Sequence, residues 1–225
     1  MIVIDGIDGS GKATQTALLA KRLKKEGYSV KKIDFPRYYH NFFGNLVGRY
    51  LAGEFGDFIK TDPHVASVLY AADRFESSKE IGRWLAEGYI IVSDRYTSAN
   101  QIHQGGKIKD SRKRANLIKW LEKMEYGVFK IPKPDAVLFL KMPIKIAQSL
   151  LRAKMNQKNK KYLKGKKDLA EYNIKHLRDS DAAGRKLLKS SKTWLGIQCA
   201  KRGELLAPEE ISEDIFRILK RRVFT

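Results

Sequence analysis

Short apolar runs alternate along the chain with stretches of helical periodicity. Residues 2–4, 29–35, 89–92 and 136–140 have the length and composition of β-strands. The runs at 89–92 and 136–140 are apolar nearly throughout, which is typical of strands buried on both faces of a parallel sheet. Strands that alternate with helices predict an α/β fold in which helices cover both faces of the sheet.

Local signals mark where several helices begin and end. Apolar residues recur at helical spacing over residues 13–23 and stop before Gly27. Asp62 directly precedes a proline and is a capping residue for a second helix. Residues 204–206 are a candidate for a short last strand, and Pro208 with two following glutamates begins a last helix. We expect a three-layer domain with a central parallel sheet of about five strands.

A glycine-rich segment joins the first predicted strand to the first predicted helix. It has the phosphate-loop pattern, in which two glycines five positions apart are followed by lysine. Such a loop directs backbone N–H groups and a helix N-terminus at phosphate oxygens. The alternative is a chance glycine-rich turn, but both flanks fit the motif. The predicted nucleotide contacts are Gly6, Asp8, Gly9, Ser10, Gly11, Lys12, Ala13 and Thr14.

Ala13 departs from the usual pattern, because the residue after the lysine is normally a serine or threonine that binds Mg²⁺. A methyl group cannot bind a metal. Either Thr14 reaches the ion, or water takes that coordination place, or phosphates and the carboxylate of Asp94 hold it. Mg²⁺ keeps several waters in most sites, so the last two options are acceptable. A loop that binds nucleotide without catalysis is a further alternative.

Asp94 and Arg95 directly follow the buried run at 89–92. In a parallel sheet both side chains then lie at the carboxyl edge, which is also the edge of the phosphate loop. There an aspartate can bind Mg²⁺, and an arginine can bridge phosphates while charge moves between them. The alternative is a structural ion pair at a strand end. The shared edge favours the functional interpretation.

Composition narrows the class of protein. Hydrophobic residues make up 43% of the 225 residues, too many for intrinsic disorder, and no apolar run approaches the roughly 20 residues of a membrane span. No linker divides the chain, so we expect one domain over residues 1–225. The first residues show no signal peptide, and the single cysteine, Cys199, cannot form an internal disulfide. These features predict a cytoplasmic protein in which Cys199 is a small buried side chain.

The net charge of +20 is concentrated in one part of the chain. Residues 1–106 carry a net +2, residues 107–202 carry +19, and residues 203–225 carry −1. Such an excess indicates anionic partners, namely nucleic acid, a membrane surface or phosphorylated small molecules. The densest stretch, residues 152–167, contains eight basic residues and no acidic one.

The order and spacing of the motifs resemble the thymidylate (dTMP) kinase family. The resemblance covers nearly the whole chain and weakens between about residues 152 and 202. It implies a P-loop NTPase fold and transfer of the ATP γ-phosphoryl group to dTMP, a step of dTTP synthesis, with Mg²⁺ and in a homodimer. The motifs that carry it are the phosphate loop, Phe35-Pro36-Arg37, Leu69-Tyr70-Ala71-Ala72-Asp73-Arg74, Asp94-Arg95-Tyr96 and Pro132-Lys133-Pro134-Asp135.

The resemblance also implies roles for single residues. Asp8 lies near the sugar of the acceptor nucleotide, and Arg37 contacts its phosphate. Tyr70 stacks on thymine, and Arg74, four residues later on the same helical face, hydrogen-bonds the base. Asp94 is the carboxylate on the metal side. For Tyr70 and Arg74 the alternative is an amphipathic helix with a buried tyrosine and a solvated arginine.

Two arginines are implied to act on the transferred phosphoryl group. Arg95 matches the arginine between the two phosphoryl groups. The family also places a basic lid over the donor phosphates, here at about residues 152–170, and keeps an extra arginine either in the lid or in the loop. Because Gly9 occupies the loop position, we expect Arg152 to supply this cation. Ranked behind it are Lys154 and Lys158.

Two departures from the family pattern affect substrate choice. Ala99 stands in place of the usual serine, and His103 in place of the usual tyrosine or phenylalanine. The ring of His103 can block the sugar 2′ position, but its polar edges leave the deoxyribose and thymine preferences open. A hydrogen-bonded structural histidine is an equal alternative. Asn100 and Gln104 are predicted contacts of the base edge.

The leading prediction is an ATP-dependent dTMP kinase whose catalytic residues are Lys12, Arg95, Asp94, Asp8 and Arg152. A kinase for another nucleoside monophosphate is an alternative because of Ala99 and His103. A nucleotide-gated nucleic-acid-binding protein is a second alternative because of the basic half. The aromatic residues of that half lack the regular interleaving of a base-stacking platform, which disfavours this second alternative.

Overall fold

A five-stranded sheet, parallel throughout, forms the centre of the computed structural model, which describes residues 1–56, 60–155 and 173–224. The strand order is β2-β3-β1-β4-β5. In the register of the sheet, Ile4 of the first strand lies opposite Asp94 and Leu138 of its two neighbours. The strands are β1 Ile2–Asp5, β2 Val30–Asp34, β3 Ile90–Asp94, β4 Ala136–Lys141 and β5 Trp194–Gln198.

Helices cover both faces of this sheet. Among the described residues they are α1 Lys12–Lys25, α2 Phe42–Leu51, α3 Pro63–Glu76, α4 Ser78–Ala86, α5 Thr97–Lys107, α6 Ser111–Glu122, α7 Ile144–Met155, α8 Ile174–Ser190 and α9 Pro208–Arg222. A π-helical turn, Lys123–Val128, follows α6. Each helix in these ranges is too short or too polar to cross a bilayer.

The alternation of side chains along β1 explains the two core layers. Ile2 and Ile4 point to one face, where they pack with Leu19 of α1 and Ile215 of α9. Val3 points to the other face and packs with apolar residues of α4 and α5. Because both faces are buried, β1 and β4 are apolar over nearly their whole length, and the prediction that residues 136–140 are buried on both faces is confirmed.

The predicted α/β fold with about five parallel strands is confirmed, and the candidate last strand forms at Glu204–Leu205 but does not belong to the central sheet. Glu204–Leu205 pairs with Ala200–Lys201 in a separate antiparallel hairpin, whose strands are β7 and β6. Both residues of β7 are exposed, so they lack the burial that would anchor a strand in the central sheet. The fifth strand is β5, in which Trp194 and Ile197 are buried. Gly196 and Gln198 interrupt its apolar pattern and conceal it in the sequence.

Candidate active site

The phosphate loop lies between β1 and α1 as predicted. Gly6, Gly9 and Gly11 all have positive φ angles, which only glycine adopts without strain. Gly9 also lies against α7, because a Cβ atom added to it would be 2.3 Å from the carbonyl oxygen of Ala147. The loop therefore has no room for the extra arginine that some relatives are expected to carry at this position.

Lys12 is buried inside the loop. Its Nζ donates to the carbonyl oxygens of Gly6 and Ile7, at 3.1 and 2.8 Å, and lies 3.8 Å from Oδ1 of Asp8. Burial and the nearby charge of Arg95 lower the pKa of the Lys12 ammonium, against the opposing effect of the carboxylates. A cation held in this way is available to phosphate oxygens that enter the loop.

Arg95 connects the loop to α5. Its side chain donates through Nη2 to Oδ1 of Asp8 and through Nη1 to Nε2 of His103, the latter at 2.7 Å. Burial alone would raise the pKa of Asp8, but the nearby charges of Arg95 and Lys12, together with weaker effects of His103 and His176, hold this pKa well below its usual range. Burial would lower the pKa of Arg95, but the carboxylates of Asp8, Asp5 and Asp94 together raise it. The ring of His103 stacks on that of His176, with centroids 5.5 Å apart.

Two more carboxylates lie at this edge of the sheet. Asp5 accepts hydrogen bonds from the backbone N–H of Gly6 at 2.8 Å and from Oγ of Ser98 at 2.5 Å. Burial raises the pKa of both Asp5 and Asp94, although Lys12 and Arg95 oppose this effect. Carboxylate oxygens suit Mg²⁺. Within the described ranges, however, the side chains form no cluster of three or more typical metal ligands.

Arg37 follows β2 and lies beside α3 and α4. Its Nη1 donates to Oε2 of Glu80 at 2.7 Å and to Oγ of Ser77 at 3.2 Å. Its backbone N–H donates to Oδ2 of Asp73 at 3.0 Å. Asp73 is almost fully buried and also accepts from Asn41 at 3.0 Å. The predicted phosphate contact is therefore held at a defined position, where an incoming phosphate would compete with Glu80.

Tyr70 and Arg74 lie on α3 but differ in their surroundings. Arg74 is only 2% exposed and forms a bidentate ion pair with Glu125, with N···O distances of 2.6 and 2.8 Å. The alternative of a solvated arginine is therefore wrong. Tyr70 is half-buried and packs edge-on against Tyr50, with ring centroids 6.4 Å apart.

The other predicted base contacts lie on α5, next to this ion pair. Nδ2 of Asn100 donates to Oε1 of Glu125 at 3.2 Å and to the carbonyl oxygen of Ser67 at 3.1 Å. Gln104 is buried, and its Oε1 has no hydrogen-bond partner among the described residues. Arg74 and Asn100 thus donate hydrogen bonds to the same carboxylate, that of Glu125.

Three residues of this site were missed in the sequence. Asp5 carries a usable signal, because it ends a buried strand just as Asp94 does. Glu125 and His176 carry none, since each meets its partners only through the fold. Glu125, for example, is 51 positions from Arg74.

The lid prediction falls mostly outside the described residues. Arg152 is exposed near the end of α7. The preceding residue, Leu151, faces the phosphate loop, where a Cβ at Gly9 would be 2.9 Å from its Cγ. The helix that carries Arg152 is therefore packed on the loop. The side chain of Lys154 and the whole of Lys158 lie outside the described residues.

Ala13 and Thr14 are exposed at the start of α1.

A parallel α/β sheet with a phosphate loop after its first strand and an acid–arginine pair at the end of the neighbouring strand defines a P-loop nucleotide-binding protein. Comparison with known families identifies which family of P-loop proteins the chain belongs to. The family model described as "Thymidylate kinase" matches residues 4–192. The chain belongs to the thymidylate kinase family, and the resemblance in the sequence motifs is confirmed.

Individual relatives agree with this assignment. A probable thymidylate kinase of Pyrobaculum aerophilum is 28% identical over 224 residues, which cover 99% of this chain and 97% of the relative. A probable thymidylate kinase of Pyrococcus horikoshii is 34% identical over 156 residues, covering 68% and 69% of the two chains. The solved thymidylate kinase structure from Candida albicans covers 98% of this chain and 90% of its own, with a TM-score of 0.71. Its 21% identity supports the shared fold alone.

Proposed function

We propose that the site at the carboxyl edge of β1 and β3 carries out the reaction of the family, in which the γ-phosphoryl group of ATP moves to dTMP and gives dTDP. The observation that carries this proposal is the position of Arg95. Its guanidinium is held between Asp8 of the phosphate loop and His103 of α5, on the same edge as Lys12. The guanidinium thus lies between the predicted binding regions of ATP and dTMP.

On the donor side, the amides of the phosphate loop and Lys12 bind the phosphates of ATP. The carboxylates of Asp94 and Asp5 would hold Mg²⁺, directly or through water, and Thr14 is an alternative ligand. When bound, the ion offsets phosphate charge as it accumulates in the transition state. Ala13 has only an exposed methyl group and cannot bind the ion, so these other groups must hold it.

On the acceptor side, Arg37 binds the phosphate of dTMP, and Asp8 fixes the position of Arg95 beside it. The ring of Tyr70 stacks on the base, while Arg74, Asn100 and Gln104 hydrogen-bond its polar edge. The acceptor phosphate is already an anionic nucleophile, so no strong general base is required. Catalysis consists of alignment and charge neutralisation.

Arg152 is the proposed lid cation. The close packing of α7 on Gly9 supports this role, because the helix leads away from the loop that holds the donor phosphates. A lid that closes over the site excludes water and adds positive charge at the moving phosphoryl group.

A panel of nucleoside monophosphates with ATP and Mg²⁺ tests the proposal. We expect dTMP to be phosphorylated fastest, and comparison of dUMP with UMP shows whether His103 blocks a 2′-hydroxyl. Faster turnover of UMP or dCMP than of dTMP would instead favour the kinase for another monophosphate. Omission of Mg²⁺ is expected to abolish turnover.

The homodimer is a further part of the proposal. Val65, Val68 and Phe75 lie on one side of α3 and are 65%, 44% and 49% exposed. Burial of such an apolar face in a dimer would remove it from water. Light scattering on the wild type and on Val65→Glu measures the state, and we expect a dimer that the substitution weakens.

The basic half and the cellular location complete the proposal. We infer that residues 107–202 attract polyanions loosely, and that the chain works in the cytoplasm, in keeping with its single buried Cys199. Anisotropy measurements with labelled DNA at low and moderate salt test the first point. Tight binding that depends on ATP would favour the nucleotide-gated nucleic-acid-binding protein.

A further inference from the structure

Glu125 lies where α3, α5 and the π-helical turn meet, and it is 1% exposed. Its carboxylate faces Arg74 on α3 and Asn100 on α5. A buried carboxylate is costly unless it is paired, and here both oxygens have charged or polar donors. Two of the three residues predicted to contact the base edge, Arg74 and Asn100, therefore bind the same carboxylate.

The carboxylate determines the orientation of the Asn100 amide. The two partners of this amide, Oε1 of Glu125 and the carbonyl oxygen of Ser67, can only accept hydrogen bonds. The NH₂ group of Asn100 must therefore face them. Its Oδ1, which has no hydrogen-bond partner among the described residues, is left as an acceptor for a ligand.

The carboxylate also determines which donor Arg74 has left. Its Nε and Nη2 are occupied by the two oxygens of Glu125. Nη1 has no hydrogen-bond partner within the described part of the chain, and arginine offers only donors. Since Oε1 of Glu125 binds both Arg74 and Asn100, the remaining donor and the remaining acceptor belong to two side chains that meet at one atom.

A donor beside an acceptor matches one type of pyrimidine edge. Thymine and uracil present O4, an acceptor, next to N3–H, a donor, whereas cytosine presents a 4-amino donor next to an N3 acceptor. We propose that Glu125 is a positioning residue for base selection, because it sets the polarity of Arg74 and Asn100 so that the site takes a 2,4-dioxopyrimidine and rejects a 4-aminopyrimidine. This inference rests on the proposed function, since it assigns a specificity to the same site.

Glu125→Gln tests the proposal with minimal change in shape. An amide has one acceptor and one donor end, so it cannot accept from Arg74 and Asn100 as Glu125 does. We expect kcat/KM for dTMP relative to dCMP to fall by about tenfold or more, mainly through the KM for the monophosphate, while the KM for ATP stays unchanged. Glu122→Gln is the matched control, because Glu122 is exposed on α6 and accepts a hydrogen bond from Gln101 rather than from Arg74 or Asn100. It should keep the wild-type ratio.

Glu125→Asp covers the case in which Glu125→Gln fails to fold, because it keeps the negative charge that buried Arg74 requires. Its shorter side chain withdraws the carboxylate, so a smaller fall in the same ratio is expected. Circular dichroism establishes which variants are folded. A folded variant with an unchanged ratio, or a wild type that uses dCMP as well as dTMP, would overturn the inference but leave the kinase assignment intact. A wild type that phosphorylates none of the monophosphates would overturn the proposed function itself.

Discussion

The guanidinium of Arg95 donates a hydrogen bond to Nε2 of His103 over 2.7 Å. Because arginine has no acceptor, Nε2 must accept, and the imidazole is therefore neutral with its proton on Nδ1. Burial, together with the charge of Arg95, keeps the pKa of His103 well below 6.5. Asp8 holds the other side of the guanidinium. The arginine predicted to act on the moving phosphoryl group is thus fixed from two directions.

Arg95→Ala is expected to lower kcat for dTMP phosphorylation by about 10³-fold, because it removes the cation between the two phosphoryl groups. A coupled assay for ADP measures this. Arg83→Ala is the control. Arg83 is exposed on α4, and its Nε pairs loosely with Oε1 of the likewise exposed Glu87, at 3.9 Å. Near wild-type turnover in a folded Arg95→Ala protein would contradict the assigned role.

His103→Gln is expected to change how stability depends on pH. The pKa of His103 in the folded protein lies below 6.5, its ordinary value, so the unfolded chain binds more protons between the two pKa values. The stability of the wild type should therefore fall as the pH drops below about 6.5, by up to about 1.4 kcal/mol per pH unit from this group.

Urea unfolding at neutral and at mildly acidic pH measures the difference. Glutamine can still accept from Arg95 but does not titrate, so the variant should lose less stability than the wild type. The lowered pKa of His176 contributes a similar dependence to both proteins. Equal losses in the two proteins would show that His103 is not buried in its neutral form.

Gly9→Ala is expected to abolish ATP binding or to raise its Kd by about 10²-fold or more. The residue has a φ of 78°, and an added Cβ would be 2.3 Å from the carbonyl oxygen of Ala147, so the loop must move. Isothermal titration with ATP measures the effect. Gly82→Ala is the matched control, because nothing lies within 4 Å of its Cβ position in α4. It should bind ATP normally and be as stable as the wild type or slightly more so.

Cys199 is expected to be unreactive in the native protein. It is fully buried, and burial raises the pKa of its thiol to about 12, so little thiolate is present at neutral pH. Titration with a disulfide reagent should detect no fast-reacting thiol before denaturation and one thiol after it. Fast reaction of the folded protein would show that this part of the core opens readily.

The two corrections to the sequence-based fold have one cause, namely weak local patterns. β5 contains Gly196 and ends in the polar Gln198, and only its pairing with β4 makes it a strand of the sheet. Residues 204–205 have a strand-like composition, but both are exposed, and they form the hairpin with β6 instead. Local composition predicts an extended backbone, whereas burial decides which sheet the backbone joins.

The amino-acid sequence by itself determined the parallel sheet, the phosphate loop and the acid–arginine pair after β3. These features depend on local properties, since side-chain periodicity and the positive φ angles of glycines act over a few residues. Only the tertiary structure decided that Glu125 holds Arg74 and Asn100 and that His103 stacks on His176. Such contacts join residues far apart in the chain. Their geometry comes from the packing of α3, α5, α8 and the π-helical turn, which no local pattern encodes.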